Sequence, residues 1–337
     1  MSEYVSNTTV QHIAQRIRNA TKIVLTTHVK PDGDALGAVL ALERGLKTIG
    51  QCAEIWLMGQ LELSLQALAA QTPLQFIENA APGDECDLVI VADTGAWSQL
   101  GPIEAWLRAR YADVIVVDHH VRGDDVGALR LIDPSAASTT QMLVGLLEAL
   151  GCEITGGTGG VAEALFVGLA TDTGWFRYQA AGAEAMRLAA RLIDLGVDKT
   201  RLYQLIEETS RPQRLALKAR ALASLEYHND GAVAVMMLRP QDFEETGGSI
   251  DDLPNLVNDP MSVGSVRASI LIVQREPKRT KISFRSKPST SIAAQGEPID
   301  VNVLAQRFGG GGHFHAAGAR VETDIDAARA AVIAALQ

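Results

Sequence analysis

Short apolar runs rich in β-branched residues alternate with longer helical patterns over the first two thirds of the chain. Lys22–Thr27 (KIVLTT), Ala53–Leu57 (AEIWL), Asp87–Ala92 (DLVIVA) and Val114–Val117 (VIVV) read as strands. Gly37–Ile49, Ser138–Leu150, Val161–Ala170 and Ala183–Leu195 read as helices. Near-continuous apolar strands separated by helices predict an α/β domain built on a doubly wound, mainly parallel sheet. From Asp198 to Tyr227 the pattern is helical, broken at Ser210-Arg211-Pro212, and proline suits the first turn of a new helix. Beyond it, strands are expected at Ala232–Leu238, Val266–Val273 and Lys281–Arg285, then a helix at Val301–Phe308, giving a smaller α+β domain. The expected organisation is therefore a first domain over 1–197, a helical linker over 198–227 and a second domain over 228–337.

The chain has 337 residues, 47% of them hydrophobic, which suits two globular domains with proper cores. No apolar stretch approaches the ~20 residues that cross a bilayer, and Met1 to Gln11 lacks a signal pattern, so a cytoplasmic protein without a membrane partner is expected. Cys52, Cys86 and Cys152 are odd in number and widely spaced, which supports neither a disulfide framework nor a thiolate zinc site. A net charge of −10 argues against a protein that coats long nucleic acid. Bound divalent ions can reverse the local sign, so a small anionic substrate stays compatible.

Candidate chemistry lies in four separated clusters: His28-x-x-x-Asp32-x-Asp34, Asp93, Asp118-His119-His120 and Asp172. Three of the four directly follow a predicted strand. One parallel sheet brings its strand ends to one edge, where carboxylates and imidazoles converge into a site for divalent metals. Each cluster alone has a plainer reading. Asp34 can cap a helix starting near Ala35 with Asp32 in a turn, Asp93 can cap before Thr94-Gly95, and Asp172 can be a turn aspartate. Jointly they supply enough oxygen and imidazole ligands for two metals if one carboxylate bridges, a donor set suited to manganese or magnesium. Ser138-Thr139-Thr140 could offer donors to a phosphate, with N-capping as the simpler reading.

In this order, HxxxDxD, a strand-end Asp, Asp-His-His and a later Asp resemble the motifs of the DHH phosphoesterase family. The segment GGGGHFHAAGA resembles the signature of its associated C-terminal domain. Total length is most similar to the stand-alone branch of oligoribonucleases (nanoRNases) that also act as 3′-phosphoadenosine-5′-phosphate (pAp) phosphatases. The resemblance implies that His28, Asp32 and Asp93 hold one metal, and that Asp34, Asp93, His119 and Asp172 hold a second. Asp93 would bridge, His120 would contact the scissile phosphate or act as an acid, and Asp118 would orient the histidines. Two Mn2+ are the expected ions, with Mg2+ as the alternative. Ala38 departs from the family pattern, where serine is frequent.

In the second domain, Arg267, Arg275, Lys278, Arg279, Lys281, Arg285 and Lys287 face one nearby acid, Glu276. Lys278 and Arg279 read as a hairpin tip, whereas Arg285 ends a strand and its planar fork suits a phosphate. The resemblance extends to Arg285-Ser286 as substrate contacts. Gly309, Gly310, Gly311 and Gly312 let a backbone approach an anion, and four of them exceed what a helix cap needs. His313 would hold phosphate or base, and His315 would be structural. Such a clamp, across a cleft from the metals, would favour short RNA or small nucleotides over long strands. The rival activity is cyclic or linear di-AMP-type dinucleotide hydrolysis, and the rival class is a non-catalytic nucleotide sensor. An inorganic pyrophosphatase would be expected to carry a different C-terminal domain. Homo-oligomerisation is left open by the sequence.

Overall fold

The structure is a computed structural model that describes residues 4–336 apart from 70, 78–81, 84 and 288–296. The chain divides into two units, Met1–Thr209 and Ser210–Gln337.

In chain order the first unit contains α1 (Val10–Asn19), β1 (Ile23–Thr26), α2 (Gly33–Thr48), β2 (Ala53–Leu57), α3 (Leu63–Ala69), β3 (Leu74–Phe76) and β4 (Leu88–Ala92). It continues with α4 (Glu104–Arg108), β5 (Val114–Asp118), β6 (Leu129–Ile132), α5 (Thr139–Leu150), α6 (Val161–Asp172), α7 (Ala183–Asp194) and α8 (Lys199–Glu207). The strands form one sheet in the order β3-β2-β1-β4-β5-β6, and every pairing is parallel. Alternate side chains serve opposite faces. Ile23, Leu25, Ile90 and Val117 join the core under α2, α5 and α6, while Val24, Val89, Val91 and Val116 join a second core with Leu100, Ile103 and Leu107. Burial on both faces is why these strands are apolar throughout. The chain leaves β3 and returns to start β4 beside β1, so the winding direction reverses between β1 and β4. Ligands bind at such a switch point, outside the carboxyl ends of the strands.

Helix α2 is buried from Gly33 through Leu42 and lies against α6. A Cβ at Gly37 would sit 2.5 Å from the Ala164 carbonyl oxygen, and one at Gly33 would sit 2.3 Å from Thr171 Oγ1. The missing side chains let the first turn of α2 approach the last turn of α6. Ala38 is fully buried in this interior helix.

The second unit contains α9 (Pro212–Ala223), β7 (Glu226–His228), β8 (Val233–Leu238), α10 (Pro240–Thr246), β9 (Ala268–Glu276) and β10 (Arg279–Ser286). It ends with α11 (Val301–Gln306), β11 (Gly311–His313), β12 (Ala316–Val321) and α12 (Ile325–Ala335). Its mixed sheet runs β11-β12-β10-β9-β8-β7, with only β8 and β9 parallel. The helical stretch read over 198–227 is two helices, α8 in the first unit and α9 in the second, with Pro212 at the start of α9. Among the described residues no helix is long and apolar enough to cross a membrane.

Candidate metal centre

His28 and Asp93 flank the switch point, one after β1 and the other after β4. His28 Nε2 lies 3.6 Å from Asp93 Oδ2 and 3.9 Å from Asp32 Oδ1. His119 Nε2 lies 3.6 Å from Asp93 Oδ1 and 3.4 Å from Asp172 Oδ2. The two oxygens of Asp93 are thus divided between two clusters, His28/Asp32/Asp93 and Asp34/His119/Asp172. Ligands around an octahedral Mg2+-sized ion are about 3 Å apart when adjacent and roughly 4 Å when opposite, and these separations fall in that interval.

The tautomers follow from the hydrogen bonds. His28 Nδ1 lies 2.9 Å from the Val29 carbonyl oxygen and His119 Nδ1 lies 3.3 Å from that of Ala136. A carbonyl only accepts, so each Nδ1 carries the proton and each Nε2 is free to ligate. His120 is arranged differently. Its Nδ1 meets Asp118 Oδ1 at 2.7 Å, and its side chain is 56% exposed.

The sequence offered helix capping and metal binding as alternatives for Asp32 and Asp34, and the structure rearranges both. Asp32, not Asp34, is the cap: its Oδ1 accepts from the N–H groups of Asp34 at 3.1 Å and Ala35 at 3.0 Å. The same Oδ1 is the oxygen that lies 3.9 Å from His28 Nε2, so one oxygen serves the cap and faces the cluster. Asp34 lies inside the first turn of α2, fully buried, with Oδ2 accepting from Thr139 N at 2.6 Å and Oδ1 from Thr140 N at 3.0 Å. The helix therefore begins earlier than the expected Gly37, because Asp32 supplies its cap. Asp172 is the last residue of α6 and not a turn residue. Behind it the chain turns through left-handed backbone at Gly174, Trp175 and Phe176. Asp93 is itself left-handed, with φ of 64°, a conformation that costs energy outside glycine and clusters at functional sites.

The electrostatics fit a cation. Burial, then the neighbouring charges of Asp34 and Asp32, pushes the Asp93 carboxyl well above the usual range. Burial likewise raises Asp34, and burial with the Asp34 charge raises Asp172 to about 6. Carboxylates held together out of water repel one another, and a divalent ion is the partner that relieves the repulsion. Asp118 behaves oppositely. Burial opposes its ionisation, but hydrogen bonds from His120 and Tyr4 outweigh that and hold it below the usual range. The bond that His120 donates to Asp118 in turn raises the imidazole.

The second unit gathers its own group. Arg285 pairs in register with Ala316 on one side, and His313 pairs with Ala316 on the other. Registered residues share a sheet face, so Arg285 and His313 flank a small residue on one face. Arg285 is half-buried and forms no ion pair among the described residues, whereas Arg279 bonds Glu276 at 2.9 Å. Ser286 is buried, and its hydroxyl meets His315 Nδ1 at 3.0 Å. The glycine run also has structural reasons. Gly309 turns the chain just past α11 at a φ of +68°, and a Cβ on Gly310 or Gly312 would sit 2.2 Å from the Gly318 or 2.4 Å from the Ala316 carbonyl oxygen. Surplus glycine is therefore no independent argument for an anion here; space is left at Gly309, where a Cβ would meet nothing within 4 Å, and at Gly311, where it would meet only Asn302 Oδ1 at 3.8 Å.

Two residues at the first site carried little or no signal in the sequence. Thr139 donates its hydroxyl to Asp93 Oδ1 at 2.9 Å, and only its place before a helix singled it out. Tyr4 donates to Asp118 Oδ2 at 2.6 Å across a separation of 114 residues, and no local pattern marks it.

Comparison with known proteins agrees with this geometry. Residues 22–169 match the model of the DHH family, N-terminal domain, and residues 230–337 match the DHHA1 domain. A bifunctional oligoribonuclease and PAP phosphatase from Thermus thermophilus is 32% identical over 318 residues, covering 94% of this chain and 89% of that protein. A cyclic-di-AMP phosphodiesterase from Listeria monocytogenes is 28% identical, covering 95% of this chain but 48% of that protein. Among solved structures, an exopolyphosphatase-related protein from Bacteroides fragilis superposes with a TM-score of 0.85 at 23% identity, over 100% of this chain and 97% of that one.

Proposed function

The chain belongs to the DHH family, and on that premise we propose that it is a divalent-metal-dependent phosphoesterase acting on very short oligoribonucleotides and on pAp. Products would be 5′-mononucleotides from short RNA and AMP from pAp. The observation that carries the reading is the convergence of His28, Asp32, Asp34, Asp93, His119 and Asp172 at the switch point of the sheet. The full-length similarity to an oligoribonuclease and PAP phosphatase selects the substrate class, because the cyclic-di-AMP relative matches over only half its length.

Two Mn2+ ions are proposed for the two clusters, His28, Asp32 and Asp93 holding one and Asp34, Asp93, His119 and Asp172 the other. When bound, such a pair activates water and stabilises charge on the oxygens of an in-line displacement at phosphorus. The protein's own groups do the rest. The Asp93 carboxylate spans both clusters and is oriented by Thr139. His120, held through Nδ1 by Asp118, keeps Nε2 available to a phosphate oxygen or leaving group. Arg285 and His313 are proposed to bind phosphate or base, with Gly311 giving the backbone room for the ligand. Ser286 contributes by holding His315. The proposed substrates are cytoplasmic nucleotides, in keeping with the placement expected from the sequence.

The test is a matched panel with Mn2+: an RNA dinucleotide, a 24-mer, pAp, cyclic di-AMP and pyrophosphate, with Asp93→Ala as control. Turnover of the dinucleotide and pAp with little on the 24-mer sustains the reading. Activity confined to cyclic di-AMP moves the protein to the signalling substrates, and binding without turnover makes it a sensor.

A further inference from the structure

Tyr4 lies outside the matched residues 22–169, yet it reaches the centre of the Asp-His-His cluster. Its hydroxyl donates to Asp118 Oδ2 at 2.6 Å. Asp118 is fully buried, and its Oδ1 accepts from His120 Nδ1 at 2.7 Å and from the His120 backbone N–H at 3.2 Å. The two oxygens are thus divided, one for Tyr4 and one for His120. His120 in turn presents a nitrogen to the group formed with Asp93 and His119.

The surroundings of Tyr4 are built to hold it. Ser6 Oγ donates to the Ile132 carbonyl oxygen at 2.9 Å and accepts from Ile132 N at 2.7 Å. Asn7 N donates to the Arg130 carbonyl oxygen at 3.0 Å, and Asn7 Oδ1 accepts from Arg130 N at 2.7 Å. These bonds fasten the segment before α1 along β6, the edge strand of the sheet. Two glycines make the seat for the ring. A Cβ at Gly95 would lie 1.8 Å from the Tyr4 hydroxyl, and one at Gly123 would lie 2.3 Å from Tyr4 Cζ. Gly95 follows Asp93 by two residues and Gly123 follows His120 by three, so both loops of the site leave room for this one side chain.

We propose that Tyr4 is a positioning residue for the reaction: by occupying Asp118 Oδ2 it confines His120 to Oδ1, which fixes the imidazole with Nδ1 protonated and Nε2 free. The inference rests on the phosphoesterase reading for its effect on rate, but not for its effect on the imidazole. A buried carboxylate deprived of one donor reorients toward the donors that remain. Without the Tyr4 hydroxyl, both oxygens of Asp118 compete for His120, and the ring loses its single orientation. Burial and the Asp118 charge raise the Tyr4 hydroxyl, so it stays a donor throughout the working pH range.

Tyr4→Phe removes the hydroxyl and keeps the ring between Gly95 and Gly123. Two measurements are made on it: kcat and KM for an RNA dinucleotide with Mn2+, and the imidazole 15N spectrum of the metal-free chain, with His120 assigned by its loss in His120→Asn. The expected result is a kcat lower by about tenfold with KM changed by less than about twofold, and a shifted or exchange-broadened His120 signature. Gly123→Ala, which expels the ring, should reproduce both. A lower melting temperature with unchanged kcat and unchanged His120 signals would make Tyr4 a clasp only and overturn the proposal. If the wild-type chain turns over none of the panel, the phosphoesterase reading falls, and the spectrum alone decides the positioning role: a His120 signature indifferent to the hydroxyl sinks it.

Discussion

The backbone N–H of Thr139 donates to Asp34 Oδ2 at 2.6 Å, joining the N-terminus of α5 to the first turn of α2 across 105 residues. Helix N-termini attract anions, and here the anion is a carboxylate of the protein itself. A phosphate is therefore not what Ser138–Thr140 serves. Ser138 caps the helix by accepting from Gln141 N at 3.1 Å, while Thr139 and Thr140 aim a buried acid at the metal centre.

Thr139→Val tests that arrangement. It keeps the backbone donor to Asp34 and the side-chain volume, but removes the hydroxyl that orients Asp93. Apparent Mn2+ affinity should fall by about 10- to 100-fold, as for other residues that support metal ligands. Titration calorimetry against the wild-type chain checks it.

The raised carboxyls predict how stability depends on pH without metal. Asp172 titrates near 6 in the folded chain, above its ordinary value of 3.8, so the folded state binds the extra proton between the two. Stability from this group is present below about pH 4 and is lost as pH rises through 6. Asp93 and Asp34 act in the same direction. A divalent ion should reverse the trend, because it binds the deprotonated form. Melting curves from pH 4 to 8, with Mn2+ and with chelator, should diverge most at the high end.

Removing one charge should therefore help the empty protein. Asp93→Asn is expected to raise the metal-free melting temperature by roughly 2–4 °C at pH 7.5, in line with about 1 kcal/mol for a chain of this size. The same change should lower activity by about a thousandfold or more. A variant that is both less stable without metal and still active would refute the shared-carboxylate account.

Gly168 is the point where α6 passes the site. A Cβ there would lie 2.4 Å from Asp34 Oδ1 and 2.5 Å from Thr140 Oγ1, both on packed elements. Gly168→Ala should cost about 1–3 kcal/mol from overpacking and should weaken metal binding as well. Denaturant melts and metal titration on one sample separate the two effects.

In the second unit, Arg285→Lys keeps the charge and loses the planar fork. With Arg285 and His313 proposed as substrate contacts, Arg285→Lys and His313→Ala should each raise KM for the RNA dinucleotide by about tenfold, with the Mn2+ activation curve unchanged. A shift of the metal curve instead would remove them from the substrate site.

Much of this was legible because strand-end chemistry is local. A buried parallel strand needs an apolar run, and the residue after it leaves the sheet at the ligand edge, so β1, β4 and β5 could be read together with His28, Asp93 and His119. Short or half-exposed strands such as β3 and β6 carry too little apolar signal, and helix α1 was not marked either.

The sequence by itself determined which donor groups exist and the strand ends from which most of them emerge, since period, turn residues and side-chain chemistry are properties of neighbouring positions. Only the tertiary structure decided how those donors are divided and aimed. Asp32 became the cap and Asp34 the buried acid because α5 presents its N–H groups to α2. Asp172 reached the site because glycines let α6 close on α2. Tyr4 joined Asp118 because an N-terminal segment lies along the edge of the sheet. Each is a contact between residues far apart in the chain, fixed by packing and by the need to satisfy buried polar groups, and no local pattern encodes it.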